Sequence, residues 1–216
     1  MGYKGLIFDL DGVLVDTAKY HYLAWKSLAE ELGIEFTLKD NERLKGVSRM
    51  ASFEIILEIG NRTMSQEEKE ACCAKKNALY VSYIKKLTKD ELLPGVDEFV
   101  SDAKAKGYKI ALGSASKNSM LILEGLGITW YFDAIIDGTK VSKAKPDPEV
   151  FVKGAEELGL DPSVCIVFED SAAGLEAAHR GGMKAVAIGT EENLPEGDVI
   201  IPGLLGVKID DLVERL

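Results

Sequence analysis

The chain has few of the residues that stabilise secreted or metal-thiolate proteins. Its 216 residues include only three cysteines, two histidines and six prolines. Cys72 and Cys73 are adjacent and Cys165 is distant, so no disulfide framework is available, and the adjacent pair lacks the spacing of a zinc site. Neither His21 nor His179 lies near the pair in sequence, and on a helix the two thiols read as small, partly buried hydrophobes. Long hydrophobic runs are also missing. No apolar stretch approaches the ~20 residues that cross a bilayer, and Asp9 and Asp11 interrupt the N-terminal one, unlike a secretion signal. A soluble cytoplasmic protein with no membrane partner is expected. Positive charge is scarce: 26 Lys and Arg face 36 Asp and Glu, a net charge of -10. That excludes nucleic-acid binding by charge, because phosphate backbones demand a basic face. A small phosphorylated substrate remains open where a few cations converge.

Hydrophobic residues are plentiful at 46%, enough for a sizeable core. The length suits one large domain or one domain carrying an insertion. Lys4 to Leu10 reads as a strand buried on both faces, as in a parallel sheet. From about Ala18 to Lys89 the pattern is helical. "HYLAWKSLAEELG" sets Tyr22, Trp25, Leu28, Ala29 and Leu32 on one face, "SRMASFEIILEIG" repeats the pattern, and Ser65 with Glu68 forms a capping box ahead of a long helix. After Leu92–Gly95, strands and helices alternate: "KIALGS", "FDAIID", "VCIVFED", "KAVAIG" and "DVIIPG" as strands, with helices such as "SKNSMLILEGLG" and "SAAGLEAAHRGG" between them. "KIDDLVERL" closes as an amphipathic helix. This order predicts an α/β fold, a doubly wound parallel sheet of Rossmann-like form, with an all-helical insert after the first strand. The core is expected in residues 1–16 and 90–216, and the insert in 17–89. In open α/β sheets ligands sit at the carboxyl ends of the strands, where such an insert would hang as a lid.

Those ends carry chemistry. The first strand runs into Asp9 and Asp11, "KIALGS" ends in Ser114 before a helix start, Lys143 and Lys145 precede Pro146, and "VCIVFED" ends in Glu169 and Asp170. Four acids at one edge repel one another without a cation, and hard oxygen ligands suit Mg²⁺. Ser114 and the N–H groups after it can cradle phosphate oxygens at a helix N-terminus, and Lys145 adds a positive point charge. One carboxylate can then act as nucleophile and a second can move a proton.

"DLDGVLVDT", "GSAS", "KPDP" and "FEDSAAG", in that order, resemble the haloacid dehalogenase superfamily, and the second aspartate resembles its phosphotransferase branch. The resemblance implies Asp9 as nucleophile and Asp11 as general acid/base. It implies a Mg²⁺ site from Asp9, the Asp11 carbonyl and Asp170, with Glu169 close by, and phosphoryl contacts from Ser114, the Ala115 N–H and Lys145. "DTAKYHYLAWKSLAEELGI", "LKGVSRMAS", "KKN" and "SASKN" narrow the resemblance to sugar phosphomutases of that branch. These interconvert β-glucose 1-phosphate and glucose 6-phosphate through β-glucose 1,6-bisphosphate. That implies a distal phosphate site from Arg49, Ser116, Lys117 and Asn118. His21 and Lys76 would position Asp11, and Thr17 would begin the hinge. Trp25 would pack near the substrate, and Lys45, Gly46, Val47 and Ser52 would form a specificity loop. The expected partner is a small phosphorylated sugar bound by a monomer.

Blander readings stand beside these. A lone histidine such as His21 is usually a packing or surface residue, Arg49 could be a surface cation, and Lys75 and Lys76 could be a solvated helix face. Glu169 could be structural, holding Lys145, and His179 reads as a solvated helix residue. A phosphatase of the same fold, acting on a sugar phosphate or phosphoglycolate, would need Asp9 and Asp11 but no distal phosphate site. A non-catalytic phospho-ligand sensor would need no nucleophile.

Overall fold

The computed structural model describes residues 2–44 and 48–216, and the chain folds as two compact units. One runs through Asp16 and resumes at Leu87, and the other is Thr17–Lys86. The return falls at residue 87 because Leu87 is buried and Lys89 pairs with Asp97, which lies in the first unit.

The first unit opens with strand β1 (Gly5–Phe8). The second unit then supplies helices α1 (Ala18–Glu31), α2 (Leu38–Glu42), α3 (Arg49–Ile59) and α4 (Gln66–Ile84), with no strand among its described residues. Its own core gathers Trp25, Leu28, Ala29, Phe53, Ile56, Leu57 and Cys73. The capping box at the head of α4 forms as its sequence predicts: Glu68 N donates to Ser65 Oγ at 3.3 Å, and Ser65 N to Glu68 Oε2 at 2.8 Å. Cys72 is half-buried and Cys73 buried, and burial pushes both thiols up, which makes them inert packing groups.

Back in the first unit come α5 (Val96–Ala105), β2 (Lys109–Gly113), α6 (Ser119–Leu126), β3 (Ala134–Ile136), α7 (Glu149–Leu158), β4 (Cys165–Glu169), α8 (Ala172–Arg180), β5 (Lys184–Ile188), β6 (Val199–Ile201) and α9 (Ile209–Val213). The strands make one sheet, ordered β3-β2-β1-β4-β5-β6, with every neighbouring pair parallel. The chain thus builds outward from β1 on one side, then crosses back to β4 on the other. Such a reversal opens a crevice at the carboxyl ends of the two central strands.

Alternate residues of the central strands face opposite ways, and both faces are covered. Ile7, Ala111, Val167 and Ala185 join Phe151, Ala155 and Leu158 of α7 and Leu175 and Ala178 of α8 in one cluster. On the other face Phe8 stacks on Phe168 with centroids 4.6 Å apart, and Phe99 of α5 meets both rings edge-on at 6.2 and 5.4 Å. All three rings are buried, each worth about 1.5–3 kcal/mol of apolar transfer. This packing anchors β1 and β4 side by side, which sets where their ends fall.

Several expected elements shorten. β1 stops at Phe8, because beyond it Leu14 N and Val15 N donate to Leu10 O and the chain turns back on itself. α6 starts at Ser119, because Ser116 N and Asn118 N are taken by the hydroxyls of Ser114 and Ser116. α9 covers only Ile209–Val213 of the closing amphipathic stretch.

Candidate active site

Asp9 follows β1 directly, and its N–H donates to Phe168 O at 2.9 Å, continuing the β1–β4 pairing by one bond. The side chain is buried. Lys145, from the loop between β3 and α7, donates to Asp9 Oδ1 at 2.6 Å and to Glu169 Oε2 at 2.7 Å. Its ammonium also lies 4.6 Å from the centroid of the Phe151 ring. Burial works against the lysine charge, but the two carboxylates outweigh it and hold Lys145 above its ordinary value. Burial raises Asp9 even with the Lys145 ammonium beside it, and the charges of Glu169 and Asp11 add to the rise.

Glu169 ends β4 with both oxygens committed. Oε2 takes the Lys145 bond, and Oε1 accepts from Ser171 Oγ at 2.7 Å, Ser171 N at 3.1 Å and Asp170 N at 3.2 Å. The start of α8 comes so close that a Cβ on Gly174 would lie 2.0 Å from Glu169 Cδ. A second glycine makes room on the opposite side. Gly12 has φ +78° and a Cβ there would lie 1.9 Å from Asp170 Oδ2, so the Asp170 carboxylate rests against the turn after β1. Withdrawal from water and the charges of Glu169 and Asp9 raise Asp170 as well.

Carboxylate oxygens of Asp9, Glu169 and Asp170 all lie within 4.8 Å of one another. Lys145 sets one ammonium against these three carboxyl groups. A small hard cation fits such a donor set. Because Glu169 is already fully bonded, Asp9 and Asp170 are the oxygens best placed to bind it, with Glu169 as their anchor. Asp11 stands outside the carboxylate cluster. It is half-buried and is bridged to Val15 within the turn.

The expected phosphate cradle is not at a helix N-terminus. Ser114 is buried, donates its N–H to Ile136 O at 3.0 Å, and accepts from Ser116 N at 3.1 Å. Ala115 is exposed, and Ser116, Lys117 and Asn118 form serine turns ahead of α6 instead of its first turn. The cause is local: serine hydroxyls capture the N–H groups that would have started the helix. Ser116 O also accepts from Gly138 N at 3.1 Å, so this loop is fastened to the one after β3. That strand is followed directly by Asp137, a buried acid missed in the sequence, whose Oδ1 accepts from Thr139 N and Oγ1. The available signal was its position: an acid closing a strand at the same edge as Asp9 and Glu169.

In the second unit, Lys76 departs from the solvated face. It is buried, donates to His21 Nδ1 at 2.8 Å, and sits over the Trp25 and Tyr80 rings at 4.6 and 4.9 Å. An ammonium only donates, so His21 Nδ1 accepts and the ring proton is on Nε2. Burial, then the charges of Lys76 and Arg49, lower His21 to about 3. The ring also lies 4.0 Å from that of Tyr80, whose hydroxyl donates to Thr17 Oγ1 at 3.3 Å. Thr17 is the N-cap of α1, and Trp25 stacks on Phe53. Arg49 is exposed on the first turn of α3. Ser52 is a correction. It is buried in α3, not in a loop, because Ser48 caps that helix four residues earlier and Ser52 N donates to Ser48 O. Lys45, Gly46 and Val47 lie outside the described residues. Lys75 pairs with Glu31 on the surface, and the exposed Lys143 pairs with Asp147. His179 is exposed but not simply solvated, since Nε2 lies 2.9 Å from Asp198 Oδ2.

A doubly wound parallel sheet, with acids and one half-buried lysine converging where its strand order reverses, defines an α/β protein equipped to handle an anionic group beside a cation. Over residues 3–182 the chain matches the haloacid dehalogenase-like hydrolases, and it belongs to that family. It is 42% identical to the β-phosphoglucomutase of Bacillus subtilis, over 92% of this chain and 88% of that protein. A crystal structure of β-phosphoglucomutase from Clostridium difficile matches with TM-score 0.92 and 42% identity, covering 99% of this chain and 96% of that one. The fructose-1-phosphate phosphatase of Escherichia coli is 31% identical over 86% of this chain and 96% of that protein.

Proposed function

We infer that this chain is a β-phosphoglucomutase, an isomerase interconverting β-D-glucose 1-phosphate and D-glucose 6-phosphate by phosphoryl transfer. The observation that carries the reading is 42% identity to β-phosphoglucomutases across both units of the chain, against 31% to the sugar phosphatase. A bound Mg²⁺ would supply charge neutralisation for the phosphoryl oxygens, held by Asp9, Asp170 and the Asp11 carbonyl with Glu169 behind them.

In this reading one Asp9 oxygen attacks phosphorus, the new O–P bond forms, and the ester O–P bond to the departing sugar breaks. Asp11 supplies the proton that the sugar oxygen then needs. In the reverse direction Asp11 accepts the proton of the attacking hydroxyl. Lys145 and Ser114, with the Ala115 N–H, hold the transferring oxygens. A mutase must hold two phosphates at once, which is the role assigned to Arg49, Ser116, Lys117 and Asn118, with β-glucose 1,6-bisphosphate as intermediate and activator. His21, Lys76 and Thr17 are assigned to positioning Asp11, Trp25 to packing near the sugar, and Lys45, Gly46, Val47 and Ser52 to sugar choice. No helix among the described residues is long and apolar enough to cross a membrane. The reading adds a cytoplasmic monomer.

The test supplies β-glucose 1-phosphate, Mg²⁺ and a trace of β-glucose 1,6-bisphosphate, and follows glucose 6-phosphate and free phosphate together. Glucose 6-phosphate with little free phosphate, abolished by Asp9→Ala, is the expected result. Free phosphate without the isomer would establish a phosphatase instead.

A further inference from the structure

The loop of residues 137–148 delivers Lys145, yet it has little backbone hydrogen bonding of its own. Lys140 N donates to Asp137 O and Asp147 N to Ala144 O, each at 3.0 Å. Much of the remaining restraint comes from charged side chains of α7 and α8. Glu149, the first residue of α7, turns its carboxylate back onto the loop. Its Oε2 accepts from Ser142 N at 2.9 Å, Ser142 Oγ at 3.0 Å and Lys143 N at 2.8 Å. Its Oε1 accepts from Lys153, one turn further along, at 2.6 Å. Lys153 also donates to Lys140 O at 2.8 Å, and from α8 Arg180 donates to Pro146 O at 3.0 Å. Fastenings at residues 140, 142, 143 and 146 therefore flank Lys145.

We propose that Glu149 is a positioning residue for phosphoryl transfer: it clamps the loop so that the Lys145 ammonium stands between Asp9 and Glu169. The proposal rests on the reading of Lys145 as a holder of the transferring group. A lysine ammonium is a point charge on a flexible stem, so its placement depends on where its backbone is held. Misplacement of such a group by about 1 Å can cost up to ~100-fold in rate. The Lys153 bond, with those from Lys143 and Ser142, lowers the Glu149 carboxyl to about 2, so the clamp stays charged at every working pH. An acid at a helix start also favours the helix dipole, but that role alone would alter stability and leave Lys145 in place.

A double-mutant cycle on the full-length enzyme separates the two. It reads kcat and KM for β-glucose 1-phosphate with Mg²⁺ and bisphosphate, and inhibition by beryllium trifluoride, a mimic of phosphoryl on aspartate. Glu149→Ala is expected to lower kcat about tenfold, with KM within about twofold, and to weaken the inhibition by a similar factor. Glu149→Gln, which keeps an acceptor oxygen at the same reach, recovers most of the loss. In a Lys145→Ala background, Glu149→Ala costs nothing further. The same tenfold fall in both backgrounds, or an unchanged kcat in Glu149→Ala, overturns the proposal while leaving Lys145's role intact. An unchanged kcat in Lys145→Ala overturns the underlying reading itself. If Glu149→Ala does not fold, Lys153→Met removes one fastening and is read by the same cycle, with a fall of about threefold expected.

Discussion

His21 and Gly174 show how single positions constrain the chemistry. The Lys76 ammonium commits His21 Nδ1 as an acceptor and leaves the proton on Nε2. Ring ¹⁵N shifts should therefore report a neutral Nε2–H tautomer down to about pH 4. A consequence for stability follows. An unfolded histidine binds its proton near pH 6.5, whereas the folded one does so only near 3. Between those values the unfolded chain holds more protons, so stability is full above about pH 6.5 and falls as pH drops, by at most ~1.4 kcal/mol per pH unit. Denaturant midpoints of wild type and His21→Asn across pH 4–7 should differ by that slope, and parallel curves would contradict it. At Gly174, an added methyl meets the Glu169 carboxylate at 2.0 Å. Gly174→Ala is expected to cost about 1–3 kcal/mol by overpacking and to lower activity as well, because it displaces the anchor of Lys145 and Asp170. A stability loss with full activity would show that the anchor is dispensable.

At the scale of elements, β1 and β4 matter most, since their ends carry Asp9, Glu169 and Asp170. Their separation is set by the ladder and by the stack of Phe8, Phe168 and Phe99. Truncating Phe168 to Ala should destabilise the protein by about 3–5 kcal/mol, measured by denaturant unfolding. A loss under about 1 kcal/mol would mean that the ladder alone holds the strands. The strands, most helices and the α4 capping box were legible because period-2 and period-3.6 patterns and Ser-x-x-Glu are local signals. The start of α6 was not, because serine hydroxyls compete for N–H groups that propensity assigns to a helix. Ser52 was misplaced because the resemblance put it in a loop, although the helical pattern from Ser48 onward already ran through it.

For the whole molecule, the acidic cluster links cation binding to stability. A cation that binds only the folded state stabilises it by RT ln(1 + [L]/Kd), about 2.7 kcal/mol at a hundredfold excess over Kd. For a chain of this length each kcal/mol raises Tm by about 2–4 °C. Mg²⁺ should therefore raise Tm by several degrees, EDTA should reverse the rise and abolish turnover, and Asp170→Asn should show neither the rise nor its reversal. An equal Mg²⁺ effect in Asp170→Asn would remove that residue from the cation site. At a net charge of -10, 0.1 M NaCl serves as the control for nonspecific screening.

The sequence alone determined the fold class, the helical insert and the acids, serine and lysine at the strand ends, because strand–helix alternation and short motifs are written in consecutive residues. Tertiary structure decided what no local pattern encodes. Lys76 became a buried partner of His21, Glu169 became an anchor with both oxygens filled, and Glu149 closed on the Lys145 loop from the neighbouring helix. The Lys76–His21 and Lys145–Glu169 bonds join residues far apart in the chain, and the Glu149 bonds form because α7 turns its first side chain back onto the preceding loop. A buried charge persists only where such a partner arrives.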